Sequence, residues 1–92
     1  MAQSTEGRNR VVLVSRADCC LCDAALVEIE AARRSRPFDL EVVDVDTEPG
    51  LAEHYGEEVP VILVDGRKAF KYRVTREQLL RRLGRGRWFR AL

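Results

Sequence analysis

Cys19, Cys20 and Cys22 crowd into four consecutive positions. Cys19 and Cys22 are spaced i and i+3 where an apolar run, Val11-Val12-Leu13-Val14, gives way to a helical pattern. At a helix start that spacing puts two thiols on one face, one turn apart. They can then form and break an intramolecular disulfide, so thiol–disulfide chemistry is the first expectation. Each helical residue turns about 100°, so Cys19 and Cys22 lie about 60° apart in projection and Cys20 and Cys22 about 200° apart. Cys20 is therefore badly placed to pair with Cys22, and a vicinal Cys19–Cys20 bridge would be strained. Cys20 reads as a bystander, or as a site of glutathionylation or partner exchange. Three clustered cysteines make a poor structural framework, because they staple no distant segments and leave one over.

Other chemistry is open at this point. Three thiols plus His54 supply four zinc ligands on paper, and a dimer sharing an iron–sulfur cluster is a second metal reading. Cysteines that only fill a helix start are a third reading. His54 reads as a surface residue, Asp44 and Asp46 as strand-end and cap residues, and Trp88 and Phe89 as packing.

The elements that must position the thiols follow from pattern. Residues 10–15 form a short apolar, β-branched run, a buried strand. Asp18 is the expected N-cap of a helix to about Arg34, with Cys22, Ala25, Leu26, Ile29 and Ala32 as its apolar stripe. Arg33 and Arg34 suit its negative end, and Arg36-Pro37 stops it. Leu40–Val45 is a second strand. Glu48-Pro49-Gly50 opens a turn or short helix through Tyr55, with Gly56 as terminator. Val61–Val64, apolar on both faces, reads as a central strand. Asp65-Gly66 is a hairpin signal. Ala69–Val74 alternates as a fourth strand, placing Phe70, Tyr72 and Val74 on one face. Thr75–Gln78 has the form of a capping box, and Leu79, Leu80 and Leu83 line a last helix that Gly84 ends. The order is βαβαββα: an α/β domain whose four-stranded mixed sheet is flanked by helices on both faces.

Ninety-two residues make one domain with a modest core. The expected division is a disordered tail at 1–9, a domain at 10–84 and a basic C-terminal tail at 85–92. No apolar run approaches the ~20 residues that span a bilayer, and the polar N-terminus has no hydrophobic signal segment. A cytoplasmic location, where thiols stay reduced, is the expectation. The net charge of +1 is unevenly spread. Residues 39–65 hold nine carboxylates and no Lys or Arg, and residues 67–92 hold ten Lys or Arg and one Glu. Such polarity can steer a charged partner, but the basic end has no recognised nucleic-acid motif.

This order with Cys-x-x-Cys after the first strand resembles the thioredoxin fold in its short, glutaredoxin-like form. More closely, the chain is similar to the small glutaredoxin-like proteins called the DUF836 family. The matching segments are residues 15–24, Val43-Asp44-Val45-Asp46, residues 54–61 and Asp65-Gly66. The resemblance implies a glutaredoxin-like thiol–disulfide oxidoreductase in which Cys19 attacks and Cys22 resolves. It implies a cis-proline at Pro60, with the Val59 backbone free to pair with a partner's extended chain. It places Arg16 where many glutaredoxins carry a lysine that touches glutathione. Glutathione would be a co-substrate rather than a bound cofactor, and the partners would be disulfide-containing proteins or glutathione mixed disulfides met by a monomer. The Gly-Gly and nearby Asp of glutaredoxins have no counterpart in Lys71–Arg76. A redox-inactive adaptor that keeps the fold for binding is the remaining class, and the intact Cys-x-x-Cys speaks against it.

Overall fold

The computed structural model describes residues 9–47 and 49–91, and side chains through residue 84. The elements are β1 (Arg10–Ser15), α1 (Cys20–Ser35), β2 (Asp39–Asp44), a short 3₁₀ turn (Val45–Thr47), α2 (Pro49–Tyr55), β3 (Val61–Val64), β4 (Arg67–Lys71) and α3 (Arg76–Ala91). The sheet order is β2-β1-β3-β4. β1 runs parallel to β2 and antiparallel to β3, and β3 runs antiparallel to β4. This is the expected four-stranded mixed sheet.

Alternation along the two central strands divides the core in two. Val11, Leu13, Ile62 and Val64 face α1 and α3, where Ala25, Ile29, Ala32, Leu79 and Leu83 complete the larger cluster. Val14, Val61 and Val45 face the other way, toward Leu51 and Tyr55 of α2. Helices thus cover both faces. β3 has a helix on each side, which is why its four residues are all apolar.

Loop chemistry fixes the register. Asp65 and Gly66 both have positive φ, 51° and 87°, the type I′ geometry that matches strand twist. The Asp65 carboxylate accepts the backbone N–H of Arg10 at 2.9 Å and the side-chain amide of the buried Asn9 at 2.7 Å, tying the hairpin to the start of β1. The capping box forms reciprocally. Thr75 N–H donates to Gln78 Oε1 at 2.9 Å, and Gln78 N–H donates to Thr75 Oγ1 at 3.1 Å.

Three expectations are corrected. The N-cap of α1 is Cys19, not Asp18. Asp18 takes a left-handed φ of 57° and only turns the chain, whereas Cys19 is extended as a cap must be. β4 spans residues 67–71 instead of 69–74, because Tyr72, with φ of 71°, breaks the strand. Gly84 does not end α3, whose backbone stays helical to Ala91. A glycine costs a helix only about 1 kcal/mol, and no proline follows to stop it. The expected tail at residues 1–9 lies, through residue 8, outside the described residues, as do Glu48, Leu92 and the side chains of Trp88 and Phe89.

Candidate functional site

Strand direction gathers the site at one sheet edge. Ser15 pairs with Asp44 and Val14 with Val61, and Val61 pairs with Lys71. The ends of β1, β2 and β4 and the start of β3 therefore meet there. The segments that leave this edge hold Arg16, Cys19, Cys22, Asp46, Val59, Pro60 and Tyr72.

Cys19 and Cys22 are joined in a disulfide, with their Cα atoms 5.2 Å apart. The two sulfurs are unequal. Cys22 sits on the buried stripe of α1 and is 3% exposed. Cys19 is half-buried at the cap, and its Sγ accepts the backbone N–H of Cys22 at 3.1 Å. That N–H is one of the orphan donors of the helix start. A negative charge on Cys19 sulfur would meet this donor and the positive end of the helix. Cys20, the first residue of α1, is free and exposed, as its angular position requires.

The Val59-Pro60 bond is cis. Pro60 is buried, and its carbonyl accepts the N–H of Tyr72 at 2.8 Å. Val59 lies just outside β3, and among the described residues its backbone makes no hydrogen bond in this loop.

Arg16 is held on three sides. Its Nε and Nη2 meet the two carboxylate oxygens of Asp46 at 3.0 and 3.1 Å, and Nη1 donates to the Gly56 carbonyl at 2.9 Å. The bond to Asp46, and then its charge, push the Arg16 pKa further up. The guanidinium thus pins the loop after β1 to the turn after β2 and to the end of α2. Gly56 has to be glycine for this packing, since a Cβ there would sit 2.6 Å from the Ala52 carbonyl oxygen. Sequence reasoning placed Arg16 at the site but missed Asp46 and Gly56 as its partners. Asp46 lay within the matched family segment, which was the available signal.

Tyr72 was read as one more strand residue. It instead forms the corner of a γ-turn, with Arg73 N–H donating to the Lys71 carbonyl at 2.8 Å. The residue is 43% exposed, and the Lys71 ammonium lies 5.5 Å from its ring centre. The alternation of β4 hid this, because a γ-turn leaves no mark in hydropathy.

His54 is exposed at the end of α2, its ring tilted against Tyr55. No group of three or more His, Cys, Asp or Glu among the described residues is arranged to hold a metal ion. None of the described helices is long and apolar enough to cross a membrane.

Comparison with known proteins agrees with this geometry. The family model described as "Glutaredoxin-like domain (DUF836)" matches residues 10–84. Uncharacterized proteins of Mycobacterium bovis (Mb0520) and Mycobacterium tuberculosis (Rv0508) are each 31% identical over 77 residues, covering 78% of this chain and 79% of theirs. Protein Ne2328 from Nitrosomonas europaea superposes with a TM-score of 0.72 at 22% identity, covering 83% of this chain and 92% of its own. Target protein XcR50 from X. campestris gives 0.69 at 29% identity, covering 82% and 96%. Thioredoxin 1 from Thermosipho africanus gives 0.69 at 16% identity, covering 90% and 99%, a likeness of fold alone. With a Cys-x-x-Cys pair and a cis-proline on a thioredoxin-like fold, the chain belongs to the glutaredoxin-like DUF836 family.

Proposed function

We propose that the chain is a thiol–disulfide oxidoreductase of the glutaredoxin and thioredoxin type. The observation that supports it most is the inequality of the pair: a half-buried Cys19 sulfur facing a helix-start N–H, backed by a buried Cys22. In the reduced protein the Cys19 thiolate attacks one sulfur of a substrate disulfide. That S–S bond breaks, the leaving sulfur departs as a thiolate, and Cys19 becomes joined to the substrate. Cys22, once deprotonated, attacks the Cys19 sulfur and expels the second substrate thiolate. Two electrons have passed to the substrate, and the Cys19–Cys22 disulfide remains.

In this reading Pro60 shapes the docking groove and the Val59 backbone pairs with the substrate's extended chain. Arg16 positions the loop that presents Cys19; with its charge matched by Asp46, it acts on the thiol mainly through that loop. The substrates are protein disulfides or glutathione mixed disulfides. Glutathione or a reductase protein returns the electrons. The chain works as a cytoplasmic monomer with no resident metal or organic cofactor, and nucleic acid and membrane play no part.

A redox titration in thiol buffers, with mass-spectrometric mapping of the paired cysteines, tests this. The expected result is a reversible Cys19–Cys22 disulfide with a potential of about −270 to −200 mV. Absence of a reversible pair would leave a binding module on the same fold.

A further inference from the structure

We propose that Tyr72 divides the substrate groove into an apolar seat and an acidic seat. The groove would then select an extended polypeptide with an apolar residue on one side of its disulfide cysteine and a basic residue on the other. This rests on the oxidoreductase reading above and adds the class of substrate.

Tyr72 lines two hollows. One, of about 230 Å³, lies against α1 and includes Leu21, Ala24 and Val74. Leu21 stands between the two reactive cysteines and is 36% exposed. Two polar groups of this hollow are already engaged. Glu28 accepts the backbone N–H of Arg76 at 2.7 Å, and Thr75 is in the capping box. The rest of the lining is apolar apart from Arg73, whose charge is opposite to that of Glu28.

The other hollow, of about 340 Å³, lies against the end of α2 and includes Glu53, His54, Glu57 and Glu58. Glu58 is matched by Lys68 and Lys71. Glu53 and Glu57 are exposed and make no ion pair among the described residues. A basic side chain is complementary to this hollow, whereas the other, with one carboxylate (Glu28) and one guanidinium (Arg73) in its lining, offers it no net charge. A chain laid along Val59 has these two hollows to either side of Tyr72, whose N–H is fixed to the Pro60 carbonyl. Tyr72 has a positive φ of 71° and contributes to the lining of both hollows. Bulky residues seldom adopt that conformation without a reason in the surrounding structure.

The test uses the reduced full chain and short peptides whose central cysteine carries a thionitrobenzoate mixed disulfide. Attack releases coloured thionitrobenzoate, and each variant's rate is divided by its own rate with hydroxyethyl disulfide. Phe and Arg flank the cysteine in both orders. Controls put Gly for Phe and Glu for Arg. In the better order, Phe is expected to speed the reaction at least about tenfold over Gly, the worth of seating an aromatic ring. Exchanging Arg for Glu is expected to slow it about two- to fivefold, as for an exposed ion pair.

The Tyr72→Gly variant tolerates the positive φ and should lose the preference for Phe. A Glu53→Gln, Glu57→Gln double variant should lose the preference for Arg. Equal rates across the panel, or preferences that survive these variants, would overturn the proposal. If neither hydroxyethyl disulfide nor any peptide reacts and the redox titration shows no reversible Cys19–Cys22 pair, the oxidoreductase reading falls. The groove is then judged by nitrogen-edited NMR with the serine-for-cysteine peptide. Shifts at Leu21, Tyr72 and Val74 would uphold it, and their absence would sink it.

Discussion

The sulfur that caps α1 is also the sulfur proposed to react. Capping brings an N–H to Cys19 Sγ, and such a donor favours the thiolate over the thiol. The Cys19 pKa is therefore expected below the ~8.5 of a free cysteine, though Asp18 next door opposes an extreme fall. The rate of iodoacetamide labelling against pH, in a Cys20→Ser background, reads it directly. A midpoint at or above the free value would remove the case for an activated nucleophile. Cys20→Ser itself should leave the Cys19–Cys22 disulfide intact, by mass-mapped thiol counting under mild oxidation, because Cys20 is exposed and turned away from the pair.

Among the elements, the α2–β3 segment carries Val59 and Pro60, the residues proposed to dock the substrate. It is held at two points. At Gly56, the close approach to the Ala52 carbonyl leaves no room for a Cβ. Gly56→Ala should cost about 1–3 kcal/mol in urea unfolding, as overpacking against backbone does. At Glu58, the hydrogen bond from Lys68, helped by Lys71, holds the carboxyl below the usual glutamate range. A lowered folded-state pKa adds stability above the ordinary glutamate value, and that stability is lost as pH falls through the folded value. The difference in urea midpoint between the wild type and Glu58→Gln should therefore be present at neutral pH and vanish on acidification. A pH-independent difference would mean that the charge is not what matters.

For the whole molecule, one cluster joins α1 and α3 to the sheet through Ile29, Leu79, Leu83 and the central strands. The buried stripe of α1 packs into this cluster, so the helix is expected to be as stable as the domain. Ile29→Ala, at a residue with no exposed surface, should cost about 2–5 kcal/mol. Far-ultraviolet dichroism and the accessibility of Cys22 should report it together. Loss of Cys22 protection ahead of global unfolding would show that α1 opens alone. Cys22 lies on the buried stripe of α1, the same stripe that Ala25, Ile29 and Ala32 set into this cluster, so its burial is expected to last as long as that packing does.

Local pattern determined much of this protein. The Cys-x-x-Cys pair, the apolar run Val61–Val64, the Asp65-Gly66 turn and the Thr75–Gln78 box are each written within a few adjacent residues. Their physics is equally local: side-chain period, positive φ, and reciprocal caps. The βαβαββα order and the sheet's mixed character followed from them. Contacts between segments distant in the chain were decided only by tertiary structure. The capture of Arg16 by Asp46 and Gly56 spans 30 and 40 positions, and no periodicity encodes such a meeting. The bond from Tyr72 to Pro60 turned a residue that looks like strand into a corner of the groove. Even the helix start moved by one residue, from Asp18 to Cys19. Both residue types can cap a helix, and only the path of the chain out of β1 chose which of them is extended there.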